Sequence, residues 1–191
     1  MSTRSALVLM MLFLCASFLA YGEEPSRPEP VAVLEAGSAA LRAGNIEAML
    51  ALWDDDGSFV APAGNTIAGK DKLRNLFTNI IKEKIISNDD YSNAVINNNN
   101  VILHTQLSST FLNKLGVAPL TEISVNVIDG NKIKSRLFYF PPKSVDRLDA
   151  ACGSPEHRDV LVQNRPCSEY VQKLRAHTDK LIADGTVKGG D

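Results

Sequence analysis

The most constraining stretch runs from Ala48 to Gly64, Ala-Met-Leu-Ala-Leu-Trp-Asp-Asp-Asp-Gly-Ser-Phe-Val-Ala-Pro-Ala-Gly. The apolar stripe of a helix ends there, three carboxylates make an acidic turn, and a short strand is stopped by Pro62 and Gly64. A helix that hands over to a strand so abruptly must lay its apolar face on the sheet that strand joins, so the flanking segments are expected to fold around it. Upstream, Val31, Leu34, Ala39 and Leu41 fall roughly at helical spacing, and Ala43-Gly44-Asn45 closes that helix. Asn45 then caps a second helix with Ile46, Met49, Leu50 and Trp53 as its stripe, giving a helical hairpin. Downstream, Ser58 to Ala61 reads as the strand, and Ile67-Ala68-Gly69-Lys70 leads into a third helix buried on Leu73, Leu76, Phe77, Ile80 and Ile81. Asp54-Asp55-Asp56-Gly57 reads as a solvated turn rather than a cation site, since it lacks the alternating oxygen ligands and later Glu of a calcium loop.

Beyond Lys84 the period becomes strand-like. Ile85-Ile86-Ser87 with Tyr91 to Ile96, Val101 to Phe111, Leu120 to Ile128 and Lys132 to Phe140 are the expected strands of an antiparallel meander. They are separated by Asn97 to Asn100, Asn113 to Pro119, and Asp129-Gly130-Asn131. As a three-residue loop, Asp129-Gly130-Asn131 sets Val127 opposite Ile133, Val125 opposite Ser135, Ile123 opposite Leu137 and Thr121 opposite Tyr139. Ser124, Asn126, Lys134 and Arg136 then share the other face, whereas a two-residue turn would mix apolar and charged residues on both faces. The expected covered face therefore offers Thr121, Ser135 and Tyr139 among aliphatic residues.

The chain has 191 residues, 45% hydrophobic and 22% charged, which suits one domain with a real core. A formal net charge of -2 leaves no electrostatic footprint for nucleic acid, so small neutral or apolar ligands are the open class. Arg4 precedes an apolar run from Ala6 to Ala20, the length of a signal-peptide core and short of the roughly 20 residues a bilayer span needs. Ala20-Tyr21-Gly22 supplies small residues for cleavage after Gly22, so the expected mature protein is secreted or periplasmic, without a membrane contact. Cys15 would suit a lipoprotein, but the bulky Leu14 before it argues against lipidation. Glu23 to Pro30 reads as a flexible lead-in. In an oxidising compartment Cys152 and Cys167 are expected to pair, closing a loop of about 15 residues worth roughly 3 kcal/mol. Together with His157 they fall short of a tetrahedral metal set.

From Pro141 onward the chain is read as an extension: a short helix from Ser144 to Ala151, the stapled loop, and a helix from Ser168 to Ala183. Tyr170, Val171, Leu174, Leu181 and Ile182 give that last helix an apolar stripe that needs cover from the barrel or from a partner. His157 and His177 read as surface residues.

The order of elements, with Ala39-Ala40-Leu41-Arg42-Ala43-Gly44-Asn45, Leu52-Trp53-Asp54-Asp55-Asp56, Val60-Ala61-Pro62 with Gly64, Ile67-Ala68-Gly69-Lys70 and the strand Ile133 to Phe140, is similar to the nuclear transport factor 2-like superfamily. The resemblance covers about residues 31 to 140 and falls in the SnoaL-like and ketosteroid isomerase-like branch. It implies an α+β fold, a cone-shaped curved antiparallel sheet with three helices enclosing a mostly apolar pocket, followed here by the C-terminal helical extension. Homodimers are frequent in that superfamily. The expected lining is Trp53, Phe59, Ala61, Thr121, Ile123, Val125, Ser135, Leu137 and Tyr139, around a small hydrophobic ligand and without a cofactor.

The ketosteroid isomerase pattern has a tyrosine where this chain has Gly37 and a general-base aspartate where it has Ala61, which excludes enolisation by that mechanism. Limonene epoxide hydrolases use an Asp-Arg-Asp set inside the pocket. The inward residues expected for the last two strands include no acid, which leaves the third and fourth strands to supply one. Tyr139 and His104 remain as catalytic candidates, although parity with Val101, Leu103 and Leu107 puts His104 on the more exposed face. These residues support three functions: an exported binding protein for a small hydrophobic molecule, a SnoaL-like isomerase, cyclase or hydrolase, and a protein-interaction or assembly module. A titrating group with perturbed proton affinity inside the pocket would favour the enzyme.

Overall fold

A computed structural model describes residues 29–157, 159–162 and 165–187. The expected signal peptide, its cleavage site and Cys15 lie outside the described residues. Among the described residues no helix is long and apolar enough to cross a membrane.

The helical hairpin forms as α1 (Glu29–Arg42) and α2 (Ile46–Ala51), so Glu29 and Pro30 belong to a helix rather than to a lead-in. Gly44 sits at φ +70° between them, and the Asn45 side chain accepts from the Ala48 amide. The chain continues through β1 (Trp53–Val60), β2 (Thr66–Ala68), α3 (Lys70–Lys82), β3 (Ile86–Asp89), a 3-10 turn (Tyr91–Asn93), β4 (Val95–Asn97), β5 (Asn100–Ser108) and α4 (Thr110–Lys114). It ends with β6 (Leu120–Asp129), β7 (Lys132–Tyr139), α5 (Pro142–Gly153), a 3-10 turn (Pro155–His157), β8 (Leu161–Val162), β9 (Arg165–Pro166) and α6 (Cys167–Ala183). Seven strands make one sheet in the order β2-β1-β7-β6-β5-β3, with β4 also on β5. All its pairings are antiparallel except β1 on β7. The fold is the expected α+β arrangement, a curved, mainly antiparallel sheet with helices and a C-terminal helical extension.

Two expectations about the entry to the sheet are corrected. The acidic run is strand, not turn: the helix stops at Ala51, and Trp53 and the three aspartates are the first residues of β1. Neighbouring lysines make this extended run tolerable, with Lys134 Nζ 2.6 Å from Asp54 and Lys70 Nζ 2.5 Å from Asp55. The β1–β7 register shifts between Trp53 and Ser58, and Gly57 lies in that bulge. A Cβ on Gly57 would stand 3.0 Å from the Asp54 carbonyl and 3.1 Å from that of Ile133, two backbone atoms that cannot swing aside. Gly57→Ala is therefore expected to lower stability by about 1–3 kcal/mol in urea titration. An unchanged midpoint would show that the bulge can relax.

The expected strand from Tyr91 to Ile96 is interrupted. Asp90 accepts from the amides of Ser92 and Asn93, which winds Tyr91–Asn93 into a 3-10 turn between two short edge strands. The strand expected up to Phe111 stops at Ser108, because Ser109 accepts from the Leu112 amide and caps α4.

The β6–β7 register also departs from expectation. The loop is a two-residue turn, with Asp129 paired to Lys132 and Gly130 at φ +55° in its first central position. Ile128 pairs with Ile133, a bulge follows, and then Val127 pairs with Ser135, Asn126 with Arg136, Val125 with Leu137 and Ile123 with Tyr139. The bulge absorbs the mixing of faces that argued for a three-residue loop. As a result the face of β6 and β7 beyond the bulge that turns inward is the other one from that expected, with Glu122, Ser124, Asn126 and Arg136 buried, while α1–α3 pack on Val101, Leu103, Ile128 and Ile133.

The extension takes its cover from the barrel. Val145, Leu148, Val171 and Leu174 of α5 and α6 pack with Leu112, Leu120 and Phe140. Cys152 and Cys167 form a disulfide there, with Cα atoms 5.5 Å apart. Leu181 and Val187 continue around the edge onto Ile123 and Tyr139 on the outer face. His157 accepts or donates locally, 2.9 Å from Ser154 Oγ. His177, expected at the surface, is instead half-buried against the β1–β2 loop, where a Cβ on Gly64 would meet its Nδ1 at 2.9 Å.

Candidate functional site

The face of β5, β6 and β7 that looks toward α1–α3 carries polar residues in its middle. Thr105, Glu122, Ser124, Asn126 and Arg136 are all buried. Asp89 joins them from the sheet edge: its backbone belongs to β3, while its side chain turns inward and is 1% exposed. It accepts hydrogen bonds from Thr105 Oγ1 at 2.7 Å, Tyr91 OH at 2.8 Å and Ser38 Oγ at 2.9 Å. Tyr91 can reach it because the 3-10 turn breaks the edge strand just beyond Asp89. Arg136 brings Nη2 to 3.8 Å from Asp89 and donates from Nε to Asn126 Oδ1 at 2.6 Å. Asn126 is fixed in turn by donating to the Val101 carbonyl at 2.9 Å and to Ser124 Oγ at 3.1 Å. The Arg136 guanidinium lies 4.9 Å from the Phe138 ring centroid, and Phe138 packs on Phe59 at 5.0 Å.

Glu122 stands opposite Thr105 in the β5–β6 ladder and is 3% exposed. Among the described residues no hydrogen bond reaches its carboxyl. Burial is the main cause that pushes Glu122 up to about 8; Arg136 opposes the shift and the Asp89 charge adds to it. Asp89 goes the other way. Burial alone would raise it, but the Arg136 charge and the hydrogen bonds from Thr105, Tyr91 and Ser38 hold it below the usual carboxylate range. The two carboxyls thus differ at neutral pH, one a proton donor and the other an anion. Burial and the adjacent Asp89 push the Tyr91 phenol up to about 12.

A cleft of about 970 Å³ opens between α3 and the C-terminal extension. One wall is α3 with Asn75, Leu76, Asn79 and Ile80; the other includes Phe111, Phe140, Leu148, Leu161 and Tyr170. Tyr170 connects the two features, since it lines the cleft, and burial with the nearby Glu122 charge raises its phenol to about 12. Phe111 meets it edge-on at 6.4 Å. Among the described residues no group of three or more His, Cys, Asp or Glu side chains could hold a metal ion.

None of the residues expected to line a pocket lines this cleft. Trp53 is fully buried on the helix side, tilted against Phe77 at 5.8 Å with Nε1 unpartnered, and Phe59 is on that side too, beside Phe138. Ala61 follows β1 and is half-buried, its amide bonded to the Asn65 carbonyl. Thr121, Ile123, Val125, Ser135, Leu137 and Tyr139 are on the outer face, where Gln106 donates to Thr121 and the end of α6 covers Ile123 and Tyr139. His104 is exposed on that same face, opposite Ile123, so neither it nor Tyr139 approaches Asp89 or Glu122. Sequence reasoning missed Ser38, Asp89, Tyr91, Glu122, Arg136 and Tyr170. One signal was available: the parity that turns Val101 and Leu103 inward turns Thr105 inward as well, and its partner Glu122 with it.

A curved sheet under three helices has the arrangement expected of the NTF2-like superfamily, to which SnoaL-like domains belong. Residues 34–135 match the SnoaL-like domain, and the chain belongs to that family. No curated protein matches it. Among solved structures it is similar to the epoxide hydrolase/cyclase-like enzyme SalBIII, which acts in pyran ring formation in salinomycin, with a TM-score of 0.51 at 11% identity over 60% of this chain and 92% of that one. It is also similar to an NTF2-like protein from Cytophaga hutchinsonii, with 0.47 at 16% over 60% and 91%, and to another from Burkholderia xenovorans, with 0.49 at 16% over 65% and 98%. At these identities the likeness is one of fold.

Proposed function

We propose that this protein binds a small, largely apolar molecule in the cleft and acts on it by proton transfer, as a SnoaL-like isomerase, cyclase or hydrolase. The observation that carries this reading is the pair of buried carboxyls, Glu122 and Asp89, both within reach of the Arg136 charge and shifted in opposite directions. Two carboxyls pushed apart in this way mark an acid and a base. In the proposed roles Glu122 donates a proton to an oxygen of the ligand, Asp89 is the anion that stabilises positive charge or takes a proton, and Arg136 holds Asp89 in its charged form. Neither carboxyl lines the cleft itself; Tyr170 does, and it is near enough to Glu122 to feel its charge, so it is proposed to guide the ligand toward the acid. The same protein is proposed to be exported, a reading supported by the Cys152–Cys167 disulfide, because such bonds persist in oxidising compartments.

Native mass spectrometry of the mature protein, before and after denaturation, tests the binding. A small molecule that departs on denaturation is expected; an empty protein would sink the ligand reading and favour the interaction module. With the released molecule as substrate, Glu122→Gln is expected to retain it and to abolish its conversion. Full conversion by Glu122→Gln would assign the acid elsewhere, and no conversion by the wild type would leave a binding protein.

A further inference from the structure

The two walls of the cleft differ in chemistry. On α3, Asn75 and Asn79 are one helical turn apart, which sets their side chains about 5–6 Å from one another. Lys72 and Glu83 flank them at the two ends, roughly 16 Å apart along the helix axis. Both asparagines are exposed, and among the described residues neither amide makes a side-chain hydrogen bond. The facing wall, made of Phe111, Phe140, Leu148, Leu161, Val162 and Tyr170, carries no charge. Leu148, Leu161, Val162 and Tyr170 belong to the C-terminal extension, beyond the 34–135 region shared with the family, so most of this wall lies outside that region.

A ligand that satisfies both walls is two-sided. Its polar edge meets amides, which donate and accept but do not compensate a full charge, and among the described residues one lysine, Lys72, and one glutamate, Glu83, at its two ends leave that wall without net charge. Its other edge must be hydrocarbon, because an ionic group against the extension would be desolvated without a partner. Resting on the cleft as the ligand site, we infer that it selects an elongated, uncharged hydrocarbon with two oxygens on one edge, about one helical turn apart, bound by Asn75 and Asn79. The extension covers the hydrocarbon edge and sets the width of the molecule admitted.

The test is displacement of the neutral fluorophore N-phenyl-1-naphthylamine from the full mature protein by three chains of equal length: dodecane-1,5-diol, dodecan-1-ol and dodecanoate. The diol is expected to displace the probe at about one tenth of the concentration the other two require, the effect of one or two net hydrogen bonds. In Asn75→Ala/Asn79→Ala, which changes only exposed helix positions to the best helix former, the roughly tenfold preference for the diol over the other two chains is expected to vanish. Displacement by dodecanoate as strong as by the diol, or a preference that survives the double substitution, would overturn the ligand class while leaving the cleft as a binding site. Failure of the probe and all three chains to bind would overturn the cleft reading and this inference together.

Discussion

Arg136→Met is expected to lower stability at pH 7 by about 3–5 kcal/mol, the usual cost of leaving one charge of a buried pair without its partner. Asp89 would keep its hydrogen bonds from Thr105, Tyr91 and Ser38 but would lose the only guanidinium recorded beside it among the described residues, and Asn126 would lose its donor. The sign of the pH effect follows from the lowered Asp89. Its contribution is complete above the unfolded carboxylate value of about 3.9 and is lost as pH falls through the lower folded value. The deficit of Arg136→Met should therefore shrink in acid, where Asp89 takes up a proton. Adding Asp89→Asn should restore part of the loss at pH 7. Urea unfolding of the three proteins reads this directly, and equal stability of Arg136→Met and wild type would show that the hydrogen bonds alone hold Asp89 charged.

Glu122→Gln has the opposite pH signature. Glu122 is raised from 4.5 to about 8, so the folded chain holds a proton that the unfolded chain releases over that interval. Its contribution is complete below pH 4.5 and is lost as pH rises toward 8, at about 1.4 kcal/mol for each pH unit in between. Glutamine keeps the neutral shape and has no proton to lose. The variant should show a flat stability profile over the same range and exceed the wild type by roughly 3–5 kcal/mol by pH 8. A wild-type profile as flat as that of Glu122→Gln would place the Glu122 carboxyl in contact with water and remove the acid from the proposed mechanism.

Much of the architecture was legible in the sequence because it rests on periodicity. The stripes of α1, α2 and α3, the Gly44-Asn45 cap and the change of period beyond Lys84 need only local information. The inner face was misassigned because register is a choice between nearly equal local patterns. Asp129-Gly130-Asn131 admits two turns, and the rule that a covered face should be apolar selected the wrong one, since this cone buries Ser124, Asn126 and Arg136 as a hydrogen-bonded set with Glu122 on the same face. Asp89 was invisible for a related reason. An aspartate at the end of an edge strand gives no sign that Ser38, Thr105 and Arg136 will converge on it from three other parts of the chain, with Tyr91 turning back from two residues on.

The parallel pairing of β1 with β7 also governs the order in which the molecule can be assembled. Ser58 lies beside Ser135 and Val60 beside Leu137, so more than seventy residues must be synthesised after β1 before its main neighbour exists. Until then β1 has only the three-residue β2 to pair with, and the apolar stripes of α1–α3 have only part of a sheet to cover. Contacts this remote in sequence close slowly. A nascent chain therefore spends most of its synthesis without a finished core, and sheet closure is confined to a late step after the last strand has emerged.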